Sequence, residues 1–171
     1  GPGCPDLETT LKSSGYTLIE LLVTLALVGI ALTVIMLYGV NNYLRWRINT
    51  TMDQAAQQLA RDFDRARTEA KRNNDCREVQ ISTTSNTYAY AVYNSNATTG
   101  ACSGTASTTQ TVSLPANVTV GPVGAATGVK FSKPYGTADS SPDVFTLTYT
   151  PISTITRSVR VTGIFGKVII K

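Results

Sequence analysis

From Leu21 to Leu44 the chain carries no charged residue over 24 positions. A helix of that length, at about 1.5 Å per residue, spans about 36 Å, enough to cross a hydrocarbon core about 30 Å thick with some tilt. No later stretch of the 171 residues is comparably apolar. Mean hydropathy is only +0.01 because a polar remainder offsets that segment. An ordinary soluble globule and a polytopic membrane protein are both excluded. What remains is one membrane-length helix with a polar domain attached.

The helical pattern does not end with the apolar run. Leu44, Ile48, Met52 or Ala55, Leu59, Phe63, Ala66 and Ala70 recur at spacings of three and four, which is one apolar stripe on a helix. Charged residues such as Arg61, Asp62, Asp64, Arg65 and Glu69 fill the gaps and read as a solvated face. No proline lies between Pro5 and Pro115. One helix is therefore expected from about Tyr16 to about Arg72, with Asn73-Asn74-Asp75 as its stop.

After Cys76 the texture changes to β-formers. Val79–Ile81 and Tyr88–Tyr93 alternate as strands do, with Tyr88, Tyr90 and Tyr93 read as sheet packing. Residues 94–109 are Asn, Ser, Thr, Gly and Ala, and read as a loop holding Cys102. Further strands are expected near 110–114, 117–120 and 128–132. A turn-rich loop at 132–142 precedes three more strands, at 143–150, 154–162 and 164–170. The fold class is α+β: a long N-terminal helix, transmembrane then amphipathic, packed on an antiparallel β-domain. The expected divisions are a leader over 1–15, the membrane half of the helix over 16–44, its amphipathic half over 45–75, and the β-domain over 76–171. Gly1-Pro2 reads as the remnant of tag removal.

Composition removes several chemistries. The chain has no histidine, hence neither the commonest general base nor the commonest zinc ligand. Beyond Arg77 the only acids are Glu78, Asp139 and Asp143. Asp139 and Asp143 fall short of the six to eight oxygens that calcium takes. No catalytic residue, metal site or cofactor is assigned, and the chain is not read as an enzyme. The three cysteines form no CxxC pair. A Cys76–Cys102 bridge would be worth about 3 kcal/mol by loop entropy and would place the domain outside the cytoplasm. The alternative is two separate buried thiols.

Glu20 is the anomaly, a carboxylate four residues into an apolar helix, where it is costly unless paired or able to reach the interface. Its surroundings, Gly15-Tyr16-Thr17-Leu18-Ile19-Glu20-Leu21-Leu22-Val23, resemble the type IV prepilin signature, with Tyr16 where Phe is usual. The stretch Leu59–Asn73 and the run Arg157–Val168 resemble the helix end and closing hairpin of the GspH/FimT branch of minor pilins and pseudopilins. The resemblance implies a pilin fold. It also implies cleavage by prepilin peptidase between Gly15 and Tyr16, N-methylation of Tyr16, and pairing of Glu20 with the Tyr16 amine of a neighbouring subunit. Partners would be other pilins or pseudopilins, packed on the stripe from Leu18 to Leu37. The protein would sit in the inner membrane as a single-pass subunit and then enter a type IV pilus or type II secretion pseudopilus, initiating or capping it.

Two observations pull elsewhere. Lys12 precedes the apolar segment while Arg45 and Arg47 follow it, against the positive-inside bias if the domain is exported. The signature and the cysteines outweigh that bias here. Residues 77–171 carry a net charge of +4, and some FimT-type pilins bind DNA through a C-terminal G-R-x-R motif. Here that stretch is Gly166-Lys167-Val168-Ile169. Arg160, Lys167 and Lys171 are the alternative DNA-contacting set, for a competence pilus.

Co-expression with a prepilin peptidase is expected to remove residues through Gly15 and leave a methylated Tyr16, as read by intact mass. Gly15→Leu is expected to block the cut, because the residue before the bond must fit a tight site. A product starting at another residue would overturn the assignment.

Overall fold

The computed structural model describes residues 16–81, 83–95, 102–124, 127–139 and 143–171. The expected leader, Gly15 included, lies outside the described residues. Two units are distinguished, Gly1–Leu44 and Arg45–Lys171.

In the first unit α1 covers Leu18–Val34. Thr17 caps it, its hydroxyl accepting from the Glu20 amide at 3.3 Å. No residue of α1 is buried. A five-residue π-turn, Ile35–Gly39, follows and leads into α2, Val40–Asn73. The helix was expected to be regular throughout. The π-turn is a departure that no residue pattern announces, although Gly39 closes it. Asn74 takes a left-handed φ of 54° and ends α2 within the expected Asn-Asn-Asp stop.

In the second unit α2 lies on two antiparallel sheets. The strands are β1 (Cys76–Gln80), β2 (Thr87–Ser95), β3 (Cys102–Ser113), β4 (Val118–Pro122), β5 (Gly128–Ser132), β6 (Thr137–Ala138), β7 (Asp143–Tyr149), β8 (Thr156–Thr162) and β9 (Lys167–Ile170). One sheet runs β3-β2-β1-β5-β6 and the other β4-β7-β8-β9. The core forms where α2 meets both. Met52, Ala55, Leu59, Phe63, Ala66 and Ala70 pack on Val79, Val129 and Phe131 of the first sheet and on Val120, Phe145, Leu147 and Val159 of the second. Phe63 and Phe145 stack with ring centres 5.4 Å apart. The alanines on this face let the sheets approach the helix backbone closely. The stripe begins at Ile48, which is half-buried, rather than at Leu44, which is exposed.

Three expectations are corrected. Residues 102–109 are not loop but the first part of β3, whose Ser and Thr side chains point to solvent on an edge strand and so show no alternation. The 132–142 segment contains the short strand β6. The last strand starts at Lys167 because residues 163–166 form the β8–β9 turn. In that turn Gly166 has φ 61°, and a Cβ there would come within 2.7 Å of the Phe131 ring.

Cys76 and Cys102 are joined, with Cα atoms 5.4 Å apart, which ties the start of β3 to β1. Reduction is expected to cost about 3 kcal/mol and to lower the thermal midpoint by about 6–12 °C, measured by circular dichroism with and without reductant. An unchanged midpoint would mean that the bridge adds nothing to the fold.

Candidate functional site: the assembly helix and its mount

The N-terminal helix presents an apolar surface with one acid in its first turn. Tyr16, Leu18 and Ile19 are 70–78% exposed, and Leu22, Leu25 and Leu32 are each more than half exposed. A helix that is apolar all round is stable only inside a bilayer or against other apolar helices. Glu20 stands in this surface, and among the described residues no cation forms an ion pair with it. Tyr16 lies one turn before it along the chain. The segment is long and apolar enough to cross a membrane.

The β-domain fixes the polar half of this helix through partly buried hydroxyl–carboxylate pairs. Tyr88 Oη donates to Asp62 Oδ2. Tyr90 Oη donates to Glu69 Oε2 at 2.7 Å. Arg77 on β1 donates to Glu69 at 2.8 Å and to Asp75 at 2.8 Å, and Arg65 donates to Glu69 at 2.9 Å. The guanidinium groups of Arg65 and Arg77 also lie 5.3 Å and 5.8 Å from the centre of the Tyr90 ring. Burial alone would raise the Glu69 carboxyl. The bonds from Arg65 and Tyr90 and the charges of Arg65 and Arg77 outweigh it and hold Glu69 below its ordinary value of 4.5. Burial, then the bond to Glu69, pushes Tyr90 up to about 12. On the helix side, Asp62 and Glu69 are thus fixed partners of the sheet and not part of a solvated face. Two tyrosines alternating on one strand, each needing a partner for a buried hydroxyl, were the available signal.

On the opposite face of the same sheet, Tyr93 is held up at about 12 by its bond to the buried Glu78 and by burial. Lys130 lies over the Tyr93 ring at 5.4 Å. Asp139 Oδ1 accepts from the Lys130 amide at 3.0 Å, while Asp143 is buried at the start of β7. Among the described residues no three potential metal ligands come together.

The other predicted set is brought onto one face. Arg160 lies opposite Ile169, Thr162 opposite Lys167, and Ser158 exchanges both backbone bonds with Lys171. Arg160, Lys167 and Lys171 therefore share the exposed side of β8 and β9. Lys167 and Lys171 are about 13 Å apart along the strand, with Ile169 between them. Three dispersed cations make a weak, salt-sensitive anion surface.

A single apolar helix with an acid near its start, mounted by its polar half on antiparallel sheets, defines a pilin-like filament subunit. Residues 10–36 match the family model described as "Prokaryotic N-terminal methylation motif". Residues 55–164 match that described as "Type II transport protein GspH", and the chain belongs to the GspH family. It is a minor pilin or pseudopilin. The fold is similar to two crystal structures of the type IV minor pilin FimU of Pseudomonas aeruginosa (strain PAO1). The first, in space group P65, is 15% identical with a TM-score of 0.52, covering 70% of this chain and 91% of that one. The second, in P21, is 14% identical with a TM-score of 0.52, covering 74% and 92%. No curated protein sequence matches the chain. Nothing in these likenesses supports a nucleic-acid role.

Linkage gives a pH test of the mount. Glu69 binds its proton less readily folded than unfolded, so its contribution is present above 4.5 and is lost as pH falls through the lower folded value. Tyr90 contributes fully below its ordinary 10 and loses its contribution as pH rises through about 12. Urea midpoints of wild type are expected to fall at both extremes. Glu69→Gln should flatten the acid limb and Tyr90→Phe the alkaline one. Parallel curves for wild type and variants would remove these groups from the account.

Proposed function

We propose that this chain initiates or caps a type IV pilus or type II secretion pseudopilus as a minor subunit. The observation that carries the proposal is the wholly exposed apolar helix with its one acid, attached to a GspH-family domain. After cleavage at Gly15, Tyr16 would carry a methylated amine and Glu20 would pair with the Tyr16 amine of a neighbour. A buried carboxylate left alone costs several kcal/mol, and an ammonium from the next subunit offsets that cost. Before assembly the helix would hold the subunit in the inner membrane with residues 45–171 outside the cytoplasm, where the Cys76–Cys102 bridge persists.

Glu20→Gln separates assembly from anchoring. An anchor tolerates the change and inserts more readily, because a charge in hydrocarbon is penalised. A filament subunit loses one partner of a buried pair, typically about 3–5 kcal/mol. Cleavage and membrane insertion are expected to be normal, while recovery of partner pilins in a pull-down of mature protein falls by more than about tenfold. Equal recovery from wild type and variant would remove Glu20 as an assembly contact.

A further inference from the structure

Arg45 and Arg47 run against the charge bias of an exported domain, and the assembly reading gives them no task. Arg45 lines a cleft of about 240 Å³ with Asn49, Ile152, Thr154 and Ile155. Arg45 and Asn49 are one turn apart on α2 and share a face. The opposite wall is the β7–β8 turn. Hydrogen bonds from the Ile152 amide to the Tyr149 carbonyl at 3.0 Å, and from the Ile155 amide to the Ile152 carbonyl at 3.0 Å, fold that turn tightly. Arg157 pins it to the helix, Nε donating to Asp53 Oδ1 at 2.7 Å and Nη2 reaching Asn49 Oδ1 at 3.5 Å. Asn49 Oδ1 accepts from Arg157, and the amide nitrogen of the same side chain carries two N–H donors.

The chemistry of the lining is one-sided. A guanidinium, an amide N–H₂ and the Thr154 hydroxyl offer donors, and among the described residues no carboxylate lines the cleft. Asp53, one turn further on, is already held by Arg157. Ile152 and Ile155 supply apolar surface beside the donors. The cleft also sits at a definite place along the chain. The uncharged stretch ends at Leu44, and Arg45 to Asn49 adds about 6 Å of helix rise. The headgroup layer on each side of a bilayer is about 5–8 Å deep.

We propose that this cleft binds the phosphate of an anionic phospholipid. Arg45 carries the phosphate, Asn49 and Thr154 donate to it, and Ile152 and Ile155 lie against the glycerol and upper acyl carbons. A zwitterionic lipid is disfavoured because its ammonium would meet Arg45 and find no carboxylate. The contact would fix the depth of the unassembled subunit at the membrane. The proposal rests on the membrane reading above.

Trp46, the only tryptophan in the chain, is next to Arg45 and 64% exposed, so its fluorescence reports on the site. The full chain is reconstituted in phosphatidylcholine vesicles containing equal mole fractions of brominated phosphatidylglycerol or brominated phosphatidylcholine. Quenching is expected to be stronger with the anionic lipid, reflecting roughly fivefold enrichment for one well-placed cation. Arg45→Gln should bring it to the phosphatidylcholine level, and Thr154→Val should lower it. Arg47→Gln, outside the cleft, should retain most of it, with far-ultraviolet circular dichroism unchanged in all three. Equal quenching of wild type by both lipids overturns the proposal. So does an equal loss in Arg45→Gln and Arg47→Gln, which would mean diffuse surface attraction. Release by inorganic phosphate would mean a free-anion site and would overturn the lipid assignment. Absence of quenching by either lipid would instead overturn the membrane reading beneath it.

Discussion

A helix that holds Met52, Ala55, Leu59, Phe63, Ala66 and Ala70 on one side has to find cover for all of them, and no single twisted sheet of short strands supplies it. In residues 45–171 the cover comes from two sheets sharing the helix. The first contributes Val79, Val129 and Phe131, and the second Val120, Phe145, Leu147 and Val159. At roughly 1.5–3 kcal/mol per large apolar side chain buried, this stripe supplies most of the driving force in that unit. It also dictates which face of every inner strand is apolar. Val79 therefore lies opposite both Tyr90 and Val129, and Phe145 opposite Val159.

Burial by apolar contact alone would leave the helix free to rotate or slide by a turn, since alanines at several heights are nearly equivalent. The hydroxyl–carboxylate pairs remove that freedom. Tyr88 donates to Asp62, and Tyr90 donates to Glu69, which Arg77 and Arg65 also hold. A one-residue rotation would strand the hydroxyls of two buried tyrosines, each costing about 1–3 kcal/mol. The Arg157–Asp53 pair acts at the other end of the same helix, from the second sheet. The amphipathic half of the helix is therefore set in register by polar contacts with both sheets.

How much of this was readable depended on whether a residue's role is local. The membrane-length helix, the stripe after Ile48, the Asn-Asn-Asp stop and the alternating strands β2 and β7 follow from periodicity within a dozen residues. β3 does not, because an edge strand whose exposed faces are Ser and Thr has no buried side to produce alternation. The task of Asp62 and Glu69 was hidden among the charges of α2, since their partners lie 26 and 21 residues further on. The cleft joins Arg45 and Asn49 to a turn more than a hundred residues away, and no spacing rule connects them. Glu20 was legible for the opposite reason. Its oddity is local, a charge in an apolar run, and the prepilin signature is contiguous around it.

The same carboxylate distinguishes two environments that α1 would otherwise treat alike. To an all-apolar helix a bilayer and a bundle of apolar helices are nearly equivalent solvents, so burial alone gives little preference for leaving one for the other. Near the start of the helix in a bilayer, Glu20 can reach the interface and keep part of its hydration. Inside a bundle it cannot, and the cost of desolvation falls on it unless a cation arrives in the same place. On the proposed assembly, the amine of a cleaved neighbour would be such a cation, which an uncleaved chain would lack at that position. On that proposal, an acid at this point would make the apolar bundle favourable only between processed subunits. In this reading the specificity of assembly is carried by one unfavourable group and its partner, while the surrounding leucines and valines supply affinity without choice.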